Sequence, residues 1–321
     1  MSLIEVNDVK KEYKVRKYGK VSSLMAVNGV SFKVEEGSCV GLVGESGCGK
    51  STLGRLLVGL ENPSEGTITF NGEQIHKNHS KNNPSKLKYA RDIQLVFQDS
   101  YDAVNPKFTA KKIIEEPLKN FTDLNAAQRE ARVEELLEQV GLVKEDKEKF
   151  VMEFSGGQLQ RVCIARALAS SPKVFILDEP LSSLDVSVQA QILNLLSDIK
   201  KEMNLSYILI SHDIEAVYYL ADAIVVMYGG QIMEKIEDLS FFDKMVHPYT
   251  KRLLSSIPAY EKKNDSFEVA ETVGVDIYLQ SSTFQGCPYY GRCSKRTDIC
   301  KEKRPEMKTL EPRHYAACHI L

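Results

Sequence analysis

The chain has 321 residues, 43 % hydrophobic and 27 % charged, which suits one large domain, or one domain with a small appendage, built on a real core. Lys and Arg total 42 against 44 Asp and Glu, a formal charge of −2, so nothing electrostatic favours whole-surface binding to nucleic acid or anionic lipid. No segment approaches the roughly 20 uninterrupted apolar residues of a spanning helix, and the N-terminal Met-Ser-Leu-Ile-Glu-Val lacks the basic-then-apolar form of a signal peptide; disordered, membrane-spanning and secreted disulfide-stapled chains are poor readings.

In chain order, Ile4–Val9 and Val30–Val34 alternate apolar and polar residues and are expected to be antiparallel strands. Cys39–Val43 is nearly all apolar, the mark of a parallel strand buried on both faces, and a helix is expected to begin near Ser51 and Thr52. Thr67–Phe70 again looks antiparallel, and residues 77–88, rich in Lys, Asn and Ser, read as an exposed loop. Ile93–Phe97 is a second buried strand. Ala126–Val140 places Val133, Leu136, Leu137 and Val140 at helical spacing and stops at Gly141. Val174–Leu177, Tyr207–Ile210 and Ala223–Met227 are further buried strands. The helix over Val188–Met203 gathers Val188, Ile192, Leu195, Leu196, Ile199 and Met203 on one face. The expected fold class is α/β. A charged linker follows Pro258, and a cysteine-rich tail runs to Leu321.

Gly44-Glu45-Ser46-Gly47-Cys48-Gly49-Lys50-Ser51 satisfies G-x-x-x-x-G-K-[ST] between an expected strand and an expected helix, the context a phosphate-binding loop requires. Such glycines let successive backbone N–H groups face anionic oxygens, and the helix N-terminus adds partial positive charge. Lys50 can reach the β- and γ-phosphates, and the Ser51 hydroxyl, followed by Thr52, can ligate Mg²⁺. Cys48 reads as a small filler of the loop. Val174–Leu177 runs into Asp178 and Glu179. An Asp at such a strand tip can hold Mg²⁺, and the adjacent Glu can polarise an attacking water.

Phe154-Ser155-Gly156-Gly157-Gln158 resembles the signature of ATP-binding-cassette (ABC) proteins and stands just ahead of the acidic strand. Gln98 looks like that family's Q-loop glutamine, Ser182-Ser183-Leu184-Asp185 its D-loop, His212 its switch histidine, and Tyr13 its adenine-stacking aromatic. The resemblance implies a P-loop NTPase cassette over residues 1–258, with an antiparallel β-subdomain and a helical subdomain near residues 100–165. It implies ATP contacts at Tyr13, Gly44 to Thr52, Gln98, Ser155 to Gln158 and Asp185. It also implies Mg²⁺ held by Ser51, Gln98 and Asp178, and catalysis by Glu179 with His212 and Lys50. Two ATP molecules would lie between two head-to-tail cassettes, each signature serving the opposite nucleotide.

Further motifs narrow the group. Residues 44–55, Gln98 to Pro106, and Asp185-Val-Ser-Val-Gln-Ala-Gln are similar to ATPase subunits of oligopeptide and dipeptide importers. His247-Pro248-Tyr249-Thr250 looks like that group's C-terminal segment, and Ser51-Thr-Leu-Gly-Arg favours its F-type subunit. Ser100 and Val104 replace the more usual Pro and Leu. The implied partners are a second cassette (a D-type paralog or another copy), two transmembrane permease subunits and an extracytoplasmic peptide-binding protein, with no nucleic acid. The implied location is peripheral, on the cytoplasmic face of the membrane. Nickel or oligosaccharide import and a non-transport ABC ATPase are the alternatives. The long coiled-coil insert of DNA-repair relatives and a second phosphate loop are both absent from the sequence.

Beyond a linker at 259–274, the tail at 275–321 carries Cys287, Cys293, Cys300 and Cys318, spaced x5, x6 and x17. Structural zinc sites usually show a close C-x2–4-C pair, which is missing, whereas iron–sulfur spacing is more variable. The importer resemblance implies a [4Fe-4S] cluster, with zinc or metal-free thiols as alternatives. No cassette motif lies in the tail, so the tail is expected to be independent of ATP binding.

Overall fold

The computed structural model describes residues 2–17, 20–75, 89–255, 257 and 284–321. The loop expected at 77–88 and the linker expected at 259–274 lie outside the described residues.

The chain begins with β1 (Ser2–Lys17), β2 (Lys20–Glu35), β3 (Cys39–Val43), α1 (Lys50–Leu57), β4 (Glu65–Phe70) and β5 (Glu73–Gln74). There follow β6 (Ile93–Val96), α2 (Ala110–Phe121), α3 (Ala126–Gln139), α4 (Gly156–Leu168), β7 (Val174–Asp178), α5 (Val186–Met203) and β8 (Ser206–Ser211). Last come α6 (Ile214–Leu220), β9 (Ala223–Tyr228), β10 (Gln231–Ile236), α7 (Pro248–Leu254), α8 (Ile299–Glu302), β11 (Met307–Glu311) and β12 (His314–Ala317). The chain divides into two compact units: Met1–Glu35 with Cys39–Lys77 and Ser211–Leu321, and Glu36–Ser38 with Asn78–Ile210.

In the first unit, β2, β1, β4 and β5 form an antiparallel sheet in that order. Ile4 and Val6 bury alternate positions of β1, but Val9 is out of phase with them and is also buried. The register slips between Val6 and Val9, with Asp8 at φ 45°, and this bulge brings Val9 back to the core face. A second sheet of this unit pairs β3 parallel with β9, then continues antiparallel through β10, β12 and β11. Every residue of β3 is buried, as its apolar run requires, and α6 packs on it.

The tail thus adds two strands to this sheet, neither of which its composition announces. The reason is a buried carboxylate. Glu234 of β10 is fully buried and accepts hydrogen bonds from Val246 N (2.8 Å), His247 N (3.1 Å) and His314 Nε2 of β12 (2.8 Å). A buried charge needs such partners, and these tie β12 and the segment before α7 to β10.

In the second unit, β6, β7 and β8 are parallel, and β7 and β8 are buried throughout. The α2, α3 and α4 helices pack on one another. α3 opens on a capping box between Asn125 and Gln128 and buries Val133, Leu136 and Leu137, the face expected from their spacing. α5 buries Ile192, Leu196 and Ile199, and ends at Asn204 in the left-handed conformation.

Candidate functional site

The phosphate loop connects β3 to α1 in the first unit. Gly49, at φ 102° and ψ 0°, is the residue before α1. A Cβ there would lie 2.1 Å from the Ala26 carbonyl, so glycine is required both by conformation and by space. Lys50 is buried, and its ammonium donates to the Gly44 carbonyl at 2.6 Å and the Glu45 carbonyl at 3.1 Å. Cys48 is buried 3.7 Å from that ammonium, with its thiol pushed up by burial, as expected of a loop filler. Ser51 lies half-buried and Thr52 buried in the first turn of α1.

Tyr13 of β1 donates its hydroxyl to Glu61 at 2.6 Å, and Thr52 is also within its hydrogen-bonding reach. Burial raises the phenol above its ordinary value, and the Glu61 bond adds to that. The Lys11 ammonium stands 5.1 Å from the Tyr13 ring centroid. His212 is exposed just after β8, and Asp213 beside it caps α6 by accepting from Glu215 N and Ala216 N.

The remaining motifs lie in the second unit. Asp178 ends β7 and is buried, and Glu179 follows it half-buried. Glu179 has φ 47°, a left-handed conformation that disfavours a non-glycine side chain, and its N–H donates to Ile210 O at 2.9 Å. Strain of this kind costs on the order of 1–3 kcal/mol and concentrates at functional sites. Gln98 is exposed after β6. Ser155 caps α4, its hydroxyl accepting from Gln158 N while the Gln158 side chain accepts from Ser155 N at 3.0 Å. Signature residues 155 and 158 therefore lock each other at a helix N-terminus. Gly157 is buried, and a Cβ there would lie 2.4 Å from Val188 Cγ1.

Asp185 is exposed at the start of α5, next to an exposed Val186, and Gln189 holds the D-loop by donating to the Leu181 and Leu184 carbonyls, each at 3.0 Å. The Q-loop is tied to α4 and to the residue before its cap in three ways. Ser100 hydrogen-bonds Gln160, Tyr101 donates to Phe154 O at 3.2 Å, and Arg166 donates to Ala103 O at 3.1 Å. The hydroxyl of Ser100, where proline is more usual, makes the first of these bonds possible.

Cys287, Cys293, Cys300 and Cys318 are all buried and free of disulfides, and all four line one pocket with His247, Tyr289, Tyr290 and His319 among its other walls. Burial pushes the Cys287 thiol up to about 12, with Cys300, Cys293 and Cys318 adding to the rise, and it also raises Cys293 and Cys318. Among the described residues, no three His, Cys, Asp or Glu side chains are grouped so as to hold a metal ion.

Two residues that sequence reasoning did not single out for the phosphate loop reach it. The Tyr249 hydroxyl accepts from Glu45 N at 2.8 Å. Arg292, from the segment between Cys287 and Cys293, donates both terminal nitrogens to the Glu45 carboxylate. The tail therefore touches the phosphate loop, a contact that its lack of cassette motifs does not announce. Neither contact leaves a local signal, because the partners are far apart in the chain.

The family described as ABC transporter matches residues 27–182, and that described as oligopeptide/dipeptide transporter, C-terminal region, matches residues 233–300. The oligopeptide transport ATP-binding protein AppF of Bacillus subtilis is 41 % identical over 324 residues, covering 99 % of this chain and 97 % of AppF. The dipeptide transport ATP-binding protein DppF of Escherichia coli is 40 % identical over 309 residues, covering 95 % and 91 %. A solved dimeric ATP-binding cassette, MJ0796, bound to ADP and phosphate, has 28 % identity and a TM-score of 0.65, covering 72 % of this chain and 97 % of that one. The phosphate loop, the capped signature helix and near-full-length identity to such proteins place the chain in the ABC transporter family, among its ATP-binding subunits.

Proposed function

We propose that the chain powers import of oligopeptides or dipeptides as an F-type ATPase subunit at the cytoplasmic face of the membrane. The observation that carries the cargo reading is the match of residues 233–300 to the peptide-transporter C-terminal region, alongside identity to AppF and DppF over nearly the whole chain. Among the described residues, no helix is long and apolar enough to cross a membrane. By likeness to the peptide-transport relatives, the reading assigns the crossing to two permease subunits, supplied by an extracytoplasmic peptide-binding protein. A second cassette, D-type or another copy, would complete the pair of nucleotide sites. In this reading residues 1–258 form the nucleotide-binding domain and 275–321 the C-terminal extension.

The residues have separable roles in hydrolysis. Gly44 to Thr52 offer backbone N–H groups and the α1 N-terminus to the phosphates, and Lys50 exchanges its loop carbonyls for phosphate oxygens. Oxygen donors suit Mg²⁺, so Ser51, Gln98 and Asp178 are the residues that would hold it. Bound Mg²⁺ supplies charge neutralisation for the phosphates. Glu179 accepts a proton from the attacking water, and the conformation at φ 47° fixes where its carboxylate starts. His212 is assigned to the γ-phosphate, Tyr13 to the adenine, and Ser155 to Gln158 with Asp185 to the opposite cassette's nucleotide. Glu179→Gln should keep ATP binding and lose nearly all turnover, measured with the native partners present. Near-normal turnover would remove Glu179 from this role. Uptake of labelled dipeptide and of labelled nickel by cells carrying or lacking the chain separates the cargo readings.

We further propose that the four-cysteine pocket holds an iron–sulfur cluster. Four cysteines lining one pocket support it, and their sulfurs are soft donors of the kind that would hold such a cluster. Anaerobically purified protein should contain roughly four irons and four acid-labile sulfides per chain. One zinc per chain and no iron would overturn the cluster and leave the ATPase reading intact.

A further inference from the structure

The start of the phosphate loop is held by the tail, and by groups the hydrolytic mechanism does not use. Glu45 is engaged at three points. Its carbonyl accepts from Lys50 Nζ at 3.1 Å and Cys48 N at 3.3 Å. Its N–H donates to the Tyr249 hydroxyl at 2.8 Å. Its carboxylate receives both Nη atoms of Arg292, the second at 2.8 Å. The first of these is temporary in kind, because Lys50 serves phosphate oxygens during the reaction. Once the ammonium leaves the Glu45 carbonyl, Cys48 N stays on that carbonyl and Gly230 N on the Cys48 carbonyl at 3.0 Å, while Tyr249 and Arg292 hold Glu45 through its N–H and its carboxylate.

Both lead back to the cysteine pocket. Arg292 closes a single 3-10 turn, Tyr290–Arg292, bracketed by Cys287 and Cys293. Tyr290 N donates to Cys287 O at 3.0 Å, Arg292 N to Tyr289 O at 3.1 Å, and Cys287 N to Cys300 O at 2.7 Å. The backbone carrying Arg292 is therefore set by the cysteines on either side of it. The second route is aromatic. Tyr289, a wall of the pocket, lies 5.3 Å from Tyr249 and edge-on to Tyr228 at 5.2 Å, and Tyr228 stands edge-on to Tyr249 at 4.7 Å. The Arg292 guanidinium also lies 5.8 Å from the Tyr228 ring centroid. Its Nε is buried without a hydrogen-bond partner, so the two bonds to Glu45 are the principal return for ordering this side chain.

We propose that Arg292 is a positioning residue for nucleotide binding, and that through its two-pronged grip on Glu45 the packing of the four-cysteine pocket sets the affinity of the phosphate loop for ATP. The proposal rests on ATP binding at this loop and on neither the peptide cargo nor the occupant of the pocket. Reciprocity follows: bound nucleotide steadies the segment 287–293 as much as that segment steadies the loop.

The test is a fluorescence titration of the full chain with a labelled MgATP analogue, run beside thermal unfolding. Arg292→Ala should raise Kd about five- to tenfold, and Arg292→Lys, which keeps the charge and loses the fork, should fall between. Cys293→Ser should raise Kd in the native background and add nothing in the Arg292→Ala background. Where Arg292→Ala does not fold, Glu45→Gln removes the same ion pair from the other side and should give the same rise. A Kd within twofold of native for both Arg292→Ala and Glu45→Gln, even with a lowered melting temperature, would reduce the contact to tail docking and overturn the proposal. So would a full, undiminished effect of Cys293→Ser without Arg292.

Discussion

Gly157 and Glu179 carry opposite kinds of constraint. Gly157 has an ordinary backbone and no room: Val188 of α5 occupies the place of a side chain, and a branched valine cannot swing away from it. Gly157→Ala should destabilise the protein by about 1–3 kcal/mol, the usual price of overpacking. Val188→Ala in the same chain should recover much of that loss, read as denaturation midpoints of the two variants. Equal midpoints for Gly157→Ala and the native chain would mean that the helices separate freely there. Glu179 has the reverse problem, a side chain on a left-handed backbone, and the Ile210 carbonyl that takes its N–H holds it so. Glycine would relieve that strain and remove the carboxylate, so Glu179→Gly should stabilise the fold by up to about 1 kcal/mol while abolishing turnover. Unfolding and ATPase measurements on one preparation check both halves.

At the scale of elements, the junction of β10, β12 and α7 makes stability depend on pH. His247 caps α7, its Nδ1 accepting from Tyr249 N at 3.1 Å, and it is buried beside Glu234. Burial lowers its pKa to about 4, against the opposing pull of the Glu234 charge. An unfolded histidine titrates near 6.5. Between those values the unfolded chain binds a proton that the folded chain refuses, so stability falls as pH falls. The contribution is fully present above about pH 6.5, and its loss approaches ~3 kcal/mol by pH 4. His247→Asn keeps a capping oxygen and removes the titration. The gap in denaturation midpoint between pH 7.5 and pH 5 should narrow in this variant. Because Glu234 and His314 share the junction, the difference between variant and native chain is the quantity to read. An unchanged gap would place the acid sensitivity elsewhere.

At the scale of the whole molecule, the proposed function gives the signature and D-loop residues their role through association. Ser155 and Gln158 satisfy each other and frame the α4 N-terminus, while Asp185 and Val186 are exposed at the start of α5. An anion site and an exposed apolar residue presented outward suit a second cassette carrying its own nucleotide. The Glu179→Gln chain, expected to hold ATP without hydrolysing it, should dimerise with itself or with its D-type paralog when MgATP is added. Light scattering follows this directly. A mass that stays monomeric with either partner would contradict the shared nucleotide sites.

The elements legible in the sequence were those whose cause is local. Cys39–Val43, Val174–Leu177 and Tyr207–Ile210 are apolar because both faces of each strand are buried, and the phosphate loop and signature are contiguous motifs, as a site made of successive backbone groups requires. Helix α3 carried its own start, face and stop. What the tertiary structure alone decided has partners distant in sequence. β12 pairs with β10 and brings His314 to the buried Glu234. Gly157 is compelled by Val188, and the Q-loop is tied to α4 through Ser100 and Gln160. The resemblance grouped the four cysteines, and the folded tail places all four on one pocket, but the grip of Arg292 on Glu45 left no signal in the sequence. A side chain's residue type states what it can bond, and only the folded path of the backbone brings to it the partner that it does bond.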